Sequence, residues 1–215
     1  MEQAAIIERL RQLAVVPVVR TPTEEAAYRV INWLVNAGLG TVEITLTTPR
    51  ALELIQRLRR ETDLLIGAGT LRNAADARDA IDAGAQYLVS PAFVAGMAVI
   101  AAEAEVPCVM GALSPTEVLA AHAAGADAVK VFPVSAVGGA AYIKALRSVF
   151  PDIILAPTGG IAPQDVATFL NAGAAFVGVG GNLVDPRAIA EGRRDAIEAA
   201  ARTALASAQS HQEKE

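Results

Sequence analysis

The chain has 215 residues, 53% hydrophobic and 19% charged, with a formal net charge of −5. Such a length and apolar content fit one globular domain with a sizeable core, and aromatics at only 4% leave that core to Ala, Val, Ile and Leu. The lack of a basic cluster argues against a nucleic-acid partner, the single Cys108 excludes an intrachain disulfide framework or thiolate metal site, and no stretch approaches the roughly 18 apolar residues of a membrane span.

The chain opens on Met-Glu-Gln-Ala-Ala-Ile-Ile-Glu-Arg-Leu. This is an amphipathic helix pattern without the layout of a signal peptide, so a cytoplasmic location is the expectation. Short apolar runs follow at 15–20, 41–46, 64–70, 87–92, 106–113, 128–134, 153–160 and 176–181. They are continuously apolar, as expected of parallel strands covered on both faces. Segments between them, such as 24–37, 49–60, 74–83 and 163–172, carry apolar residues at helical spacing.

Punctuation agrees with that division. Thr21-Pro22-Thr23-Glu24 and Ser114-Pro115-Thr116-Glu117 each place a capping hydroxyl first, Pro at the first helical position and Glu at the third. Asp185-Pro186 offers another cap. Gly38, Gly84, Gly125 and Gly173 follow Ala at the other ends, where a left-handed residue stops a helix. Eight strand–helix units in this length predict a compact (β/α)8 TIM barrel with an additional N-terminal helix. The competitor is an open doubly wound sheet, but Thr-Pro-Thr follows the first strand and Gly67-Ala-Gly69 lacks a correctly spaced third glycine, so no dinucleotide fingerprint is present. One domain is expected over 1–207, with a polar, disordered tail over 208–215.

In a barrel, chemistry belongs at the C-terminal ends of the strands. Reading those ends gives Arg20, Glu43, Thr70, Ser90-Pro91, Lys130 and Thr158-Gly159-Gly160. Lys130 interrupts an apolar run in a chain with three lysines against fifteen arginines. Desolvation disfavours a charged amine, which is one way a lysine becomes a nucleophile able to form a Schiff base. Taken alone, the segment also fits a lysine that snorkels to a strand end or pairs with a buried carboxylate. Glu43, isolated in Val-Glu-Ile-Thr-Leu, is an equally costly residue to bury. The two can form a buried ion pair, which seldom stabilises better than apolar packing, or a nucleophilic amine beside a proton shuttle; their common barrel face favours the second. Gly159-Gly160 and Gly180-Gly181 close strands seven and eight, where barrels commonly bind phosphate through backbone N–H groups. His122, on a helix, and His211, in the tail, read as solvated residues with no metal or shuttle role.

Together these residues resemble the 2-keto-3-deoxy-6-phosphogluconate (KDPG) and 2-keto-4-hydroxyglutarate (KHG) aldolase family. The resemblance is carried by Val-Glu-Ile-Thr-Leu-Thr-Thr-Pro (42–49), Gly-Ala-Gly-Thr (67–70), Val-Ser-Pro (89–91), Ser-Pro-Thr-Glu (114–117), Lys-Val-Phe-Pro (130–133) and Pro-Thr-Gly-Gly-Ile (157–161). It implies a class I aldolase needing no metal or other cofactor, with Lys130 as Schiff-base lysine and Glu43 as general acid/base. Thr70 would help hold the pyruvate carboxylate, and Pro91 and Phe132 would line the pocket beside the imine. Thr158, Gly159, Gly160, Gly180 and Gly181 would receive the substrate phosphate.

The chain departs from the family pattern twice. Thr47 stands where some members carry a carboxylate-binding arginine, so that clamp is assigned to Arg20, whose planar guanidinium suits bidentate recognition. Gly181 stands where many members have a phosphate-contacting serine, which opens the alternative of an unphosphorylated substrate such as KHG. The resemblance further implies a homotrimer, or a larger assembly, acting in Entner–Doudoroff carbohydrate metabolism. A catalytically unused trimeric barrel serving as an assembly subunit is the reading from outside enzymology.

Overall fold

The computed structural model describes residues 3–212. Eight strands run β1 (Val15–Val19), β2 (Thr41–Thr45), β3 (Leu65–Gly69), β4 (Tyr87–Val89), β5 (Cys108–Ala112), β6 (Ala128–Val131), β7 (Leu155–Pro157) and β8 (Val177–Val179). Every pairing is parallel, each strand joining its sequence neighbour while β1 also joins β8. A parallel bridge between Thr158 and Gly178 links β7 to β8 and brings the ring to closure. This is the (β/α)8 barrel, and the open doubly wound sheet is set aside.

Helices alternate with the strands: α1 (Gln3–Leu13), α2 (Glu24–Asn36), α3 (Ala51–Glu61), α4 (Ala74–Asp82), α5 (Met97–Glu103), α6 (Pro115–Ala123), α7 (Ala140–Val149), α8 (Val166–Asn171), α9 (Pro186–Ala190) and α10 (Arg194–Gln212). Their apolar stripes, rich in Ala with Leu54, Ile55, Leu58 and Met97, pack on the outer faces of the strands as one continuous core. A second cluster fills the barrel itself. Val16, Leu65, Tyr87, Val89, Val109, Ala128, Ala156 and Phe176 meet Ile6, Ile7 and Leu10 of α1. Several of these lie at strand N-terminal ends, so the additional helix plugs the bottom of the barrel and leaves the opposite mouth open.

Local chemistry explains the boundaries, including where they differ from expectation. The Ser114 capping box forms as read: its side chain accepts from Glu117 N–H and the Glu117 carboxylate accepts from Ser114 N–H. At α2 the cap is Thr23, not Thr21. Thr23 is extended and accepts from Ala26 N–H, whereas Thr21 Oγ1 donates to the Thr23 carbonyl. Helix α3 begins at Ala51 because Arg50 is left-handed, at φ 55°. The stretch from Pro163 starts as a short 3₁₀ turn before α8. The strands are shorter than the apolar runs: β5 and β7 start two residues later, and the last residues of most runs leave the sheet to line the mouth. The expected polar tail is helical through Gln212, with Ala208 buried and His211 Nδ1 hydrogen-bonded to Asn171 Oδ1 at 2.8 Å. His211 is therefore half-buried and tied to α8 rather than fully solvated; residues 213–215 lie outside the described part. His122 is exposed on α6 as expected.

Candidate active site

Glu43 on β2 and Lys130 on β6 stand four strands apart in the ring, on opposite walls of the barrel. Register places Glu43 beside Gly67 and Lys130 beside Gly111 and Ala156, at one level of the interior. Their long side chains span the lumen, bringing Lys130 Nζ to 3.5 Å from Glu43 Oε1. Both are buried, and the ammonium end also lies 5.4 Å from the Phe132 ring centroid. Below them the barrel is sealed by Tyr87, fully buried, whose phenol hydrogen-bonds Thr41 Oγ1 at 3.0 Å; that hydroxyl in turn donates to the Leu65 carbonyl. Burial drives the Tyr87 hydroxyl well above its ordinary range, so it stays a neutral plug. Burial first, then Asp127, pushes the Cys108 thiol up to about 12, which fits an inert core residue.

Above the pair opens a cavity of about 460 Å³. Arg20, Glu43, Thr70, Pro91, Lys130, Phe132, Thr158, Gly159, Gly160, Gly180 and Gly181 all line it, so the candidate residues from seven different strand ends and loops converge on one space. Burial grades them by depth. Glu43, Lys130 and Thr158 are buried at the floor, Thr70, Pro91 and Phe132 half-buried on the walls, and Arg20, Gly160 and Gly181 exposed at the rim. Arg20 Nη2 donates to Thr70 Oγ1 at 3.4 Å, tying the ends of β1 and β3 together. Thr70 is left-handed at φ 62°, a strained conformation for a β-branched residue and one that recurs at functional sites. Thr47 is turned into the β2–α3 loop, its hydroxyl 2.9 Å from Thr45 Oγ1, and is not among the lining residues.

Glycines shape the walls. A Cβ on Gly111 would lie 2.2 Å from the Pro91 carbonyl carbon, so only a bare residue on β5 lets the Ser90–Pro91 turn cross it. Ser90 fixes that turn, donating to the Ala92 carbonyl at 2.7 Å and accepting from Gly111 N–H at 3.1 Å. On β8, a Cβ at Gly178 would strike Thr158 Oγ1 at 2.2 Å. At the rim, Asn182 Nδ2 donates to the Ile161 carbonyl at 3.0 Å and joins the two glycine loops. Among the described residues, no hydrogen bond within the chain takes up the N–H of Gly160 or Gly181. Five further lining residues, Val18, Ile161, Asn182, Val184 and Pro186, were not legible beforehand. Four of them are apolar or Pro and read as ordinary core or helix punctuation, and Asn182 carried no signal beyond following Gly181. No cluster of three or more metal-ligating side chains occurs among the described residues.

A barrel whose floor sets a buried lysine against a single carboxylate, under a glycine-edged mouth, has the design of an enzyme that acts on a small molecule. Residues 6–200 match the family model described as KDPG and KHG aldolase. The 2-dehydro-3-deoxy-phosphogluconate aldolase of Pseudomonas aeruginosa is 34% identical over 192 residues, covering 88% of this chain and 87% of that protein. Among solved structures, the KDPG aldolase of Legionella pneumophila, with pyruvate captured as a covalent carbinolamine, superposes with a TM-score of 0.84 at 29% identity over 95% of this chain and 98% of that one. A chain of a cube-shaped protein cage, designed by fusing symmetric oligomeric domains, superposes with a TM-score of 0.84 at 27% identity, covering 94% of this chain and 74% of that one. The chain belongs to the KDPG and KHG aldolase family, whose members are pyruvate-dependent aldehyde-lyases.

Proposed function

We propose that this protein is a class I aldolase cleaving a 2-keto-3-deoxy-6-phospho-sugar acid into pyruvate and glyceraldehyde 3-phosphate through a Schiff base on Lys130. The carrying observation is the Lys130–Glu43 pair, 3.5 Å apart and buried at the floor of an open cavity. An ion pair kept only for stability has no need to face a cavity, and buried pairs seldom outperform apolar packing. The captured pyruvate in the Legionella pneumophila structure supports imine chemistry for this chain.

The neutral amine of Lys130 attacks the C2 ketone to give a carbinolamine; a proton from solvent at the open mouth joins its hydroxyl, which leaves as water, and a protonated imine remains. Glu43 takes the proton of the C4 hydroxyl. The C3–C4 bonding pair moves into the imine to form an enamine, and the aldehyde departs. Glu43 then returns its proton to C3, and water hydrolyses the imine to free pyruvate and the amine. A single carboxylate suffices because its protonation alternates, and such proton transfer contributes roughly 10²–10⁴-fold. Arg20 and Thr70, already joined to each other, hold the C1 carboxylate. Pro91 and Phe132 cover the imine. Gly160 and Gly181, at the rim with uncommitted N–H groups, receive the phosphate together with Gly159 and Gly180 and, from the floor, Thr158.

One observation favours a second substrate. Gly181 brings no hydroxyl to the rim, and the Asn182 amide beside it is engaged by Ile161, so an unphosphorylated 2-keto-4-hydroxy acid such as KHG is the alternative. Pyruvate release from both substrates distinguishes them: phosphate selectivity requires a kcat/KM advantage for the phosphorylated acid that disappears when free phosphate competes. Glu43→Gln is expected to retain imine formation while stalling turnover, and full turnover by that variant would remove Glu43 from the chemistry. We assign the activity to one domain, which α10 carries through Gln212, of a cytoplasmic homotrimer. Exposed Phe93, Val99 and Leu119 offer apolar contact surface, and the symmetric cage built from a similar chain supports oligomerisation. An assembly subunit without activity would form the trimer yet leave pyruvate untrapped.

A further inference from the structure

Gly69 ends β3, one residue before Thr70. Its backbone lies outside the positive-φ region, so an L-residue could adopt the same conformation. What demands glycine there is space. A Cβ at this position would lie 2.0 Å from Glu43 Oε1, 2.5 Å from its Cγ and 2.6 Å from its Cδ. The atom most encroached on is the same Oε1 that faces Lys130 Nζ at 3.5 Å. Glu43 therefore leans across from β2 and rests its carboxylate on the bare edge of β3. The side chain is 4% exposed and its one open side is the cavity above, so a displaced carboxylate has to move away from its place on β3 and into that space. Below, the Tyr87 ring occupies the room left by Gly67, where a Cβ would sit 2.1 Å from the ring.

We infer that Gly69 is a positioning residue for the aldol cleavage: its missing side chain fixes where the Glu43 carboxylate stands relative to the Lys130 imine. The inference rests on the aldolase reading above. A methyl group at 69 requires Oε1 to move by at least about 1 Å to regain ordinary contact. A displacement of that size in a reacting group costs on the order of 100-fold in rate. Lys130, Arg20 and Thr70 keep their places, so imine formation and substrate affinity are spared while proton transfer is not.

Gly69→Ala tests this. Its kcat should fall by about 10- to 100-fold with KM within about threefold, and borohydride should still trap pyruvate on Lys130. Glu43→Asp withdraws the carboxyl from β3 by one methylene, so adding Gly69→Ala to it should lower kcat by no more than about twofold further. A thermal cycle gives a readout independent of activity: Gly69→Ala should lower the melting temperature of the wild type but not of Glu43→Ala, where the methyl enters vacated volume. An unchanged kcat in Gly69→Ala, or equal destabilisation in both backgrounds, would overturn the inference. If Gly69→Ala fails to fold, a folded Glu43→Ala/Gly69→Ala double supports it and an unfolded double overturns it. Failure of the wild type to trap pyruvate would instead strike the aldolase reading, and the thermal cycle would still decide what Gly69 accommodates.

Discussion

Replacing Lys130 by methionine would leave Glu43 buried without its partner, and replacing both would leave neither charge. That contrast separates a chemical reason for the pair from a structural one. Nζ and Oε1 are 3.5 Å apart, with side-chain exposures of 7% and 4%. At an effective dielectric of about 20, opposite unit charges at that distance attract by about 5 kcal/mol. Desolvating each ion costs several kcal/mol, so the net worth of the pair is close to zero while a lone survivor is expensive. Lys130→Met is expected to lower stability by about 3 kcal/mol, or about 6–12 °C in Tm for a domain of this size. Glu43→Met should behave alike. The Lys130→Met/Glu43→Met double should return to within about 1 kcal/mol of the wild type, or exceed it, while being inactive. Urea unfolding with unchanged m-values, alongside thermal melts, measures all four proteins. A double mutant that loses the sum of the two singles would mean the pair holds the barrel together, and the reasoning would fail.

Other changes bear on the walls and the scaffold. Arg20→Ala should raise KM for the keto acid by roughly 10- to 100-fold, as expected for losing a charge-assisted contact; an unchanged KM would send the carboxylate elsewhere. Gly111→Ala, which sets a methyl 2.2 Å from the Pro91 carbonyl carbon, should cost about 1–3 kcal/mol and weaken substrate binding by shifting the Ser90–Pro91 turn. An unshifted urea midpoint would show that the turn yields freely. The Glu117 carboxylate accepts from Ser114 and Leu113 N–H, which holds its pKa below the usual carboxylate value. A depressed folded-state pKa contributes stability above the unfolded pKa and loses it as pH falls through the folded one. The stability gap between wild type and Glu117→Gln should therefore be full near neutrality and close in acid; a gap that widens on acidification would contradict the capping role.

What the sequence disclosed was governed by periodicity and by misplaced polarity. Continuous apolar runs, helix caps such as Ser114 and stops such as Gly38 were enough for the barrel, because parallel strands buried on both faces leave a signature that needs no third dimension. Polar residues stranded at strand ends disclosed Glu43, Lys130 and Thr158. Space was not legible. Gly67 and Gly69 carry part of the family motif, and Gly111 and Gly178 sit inside apolar runs, but only the packed barrel reveals that each makes room for a particular neighbour. The plug formed by α1 was likewise visible only as amphipathicity, since which surface its apolar face covers depends on closure of the ring. Thr21 and Thr23 flank the same proline, and the choice between them turned on which hydroxyl the backbone presents to Ala26 N–H. Strand ends were overdrawn for a related reason: Thr70 at φ 62° and the Ser90 turn leave the sheet through geometry that composition does not encode.

Incubation of the whole protein with pyruvate and borohydride, followed by peptide mass mapping, interrogates the lysine itself. A carboxyethyl group on Lys130, absent without pyruvate and absent in Lys130→Ala, is the expected result. Label on Lys144, which is exposed on α7, or pyruvate release from substrate by a Lys130→Ala protein that traps nothing, would contradict a Schiff base at the barrel floor.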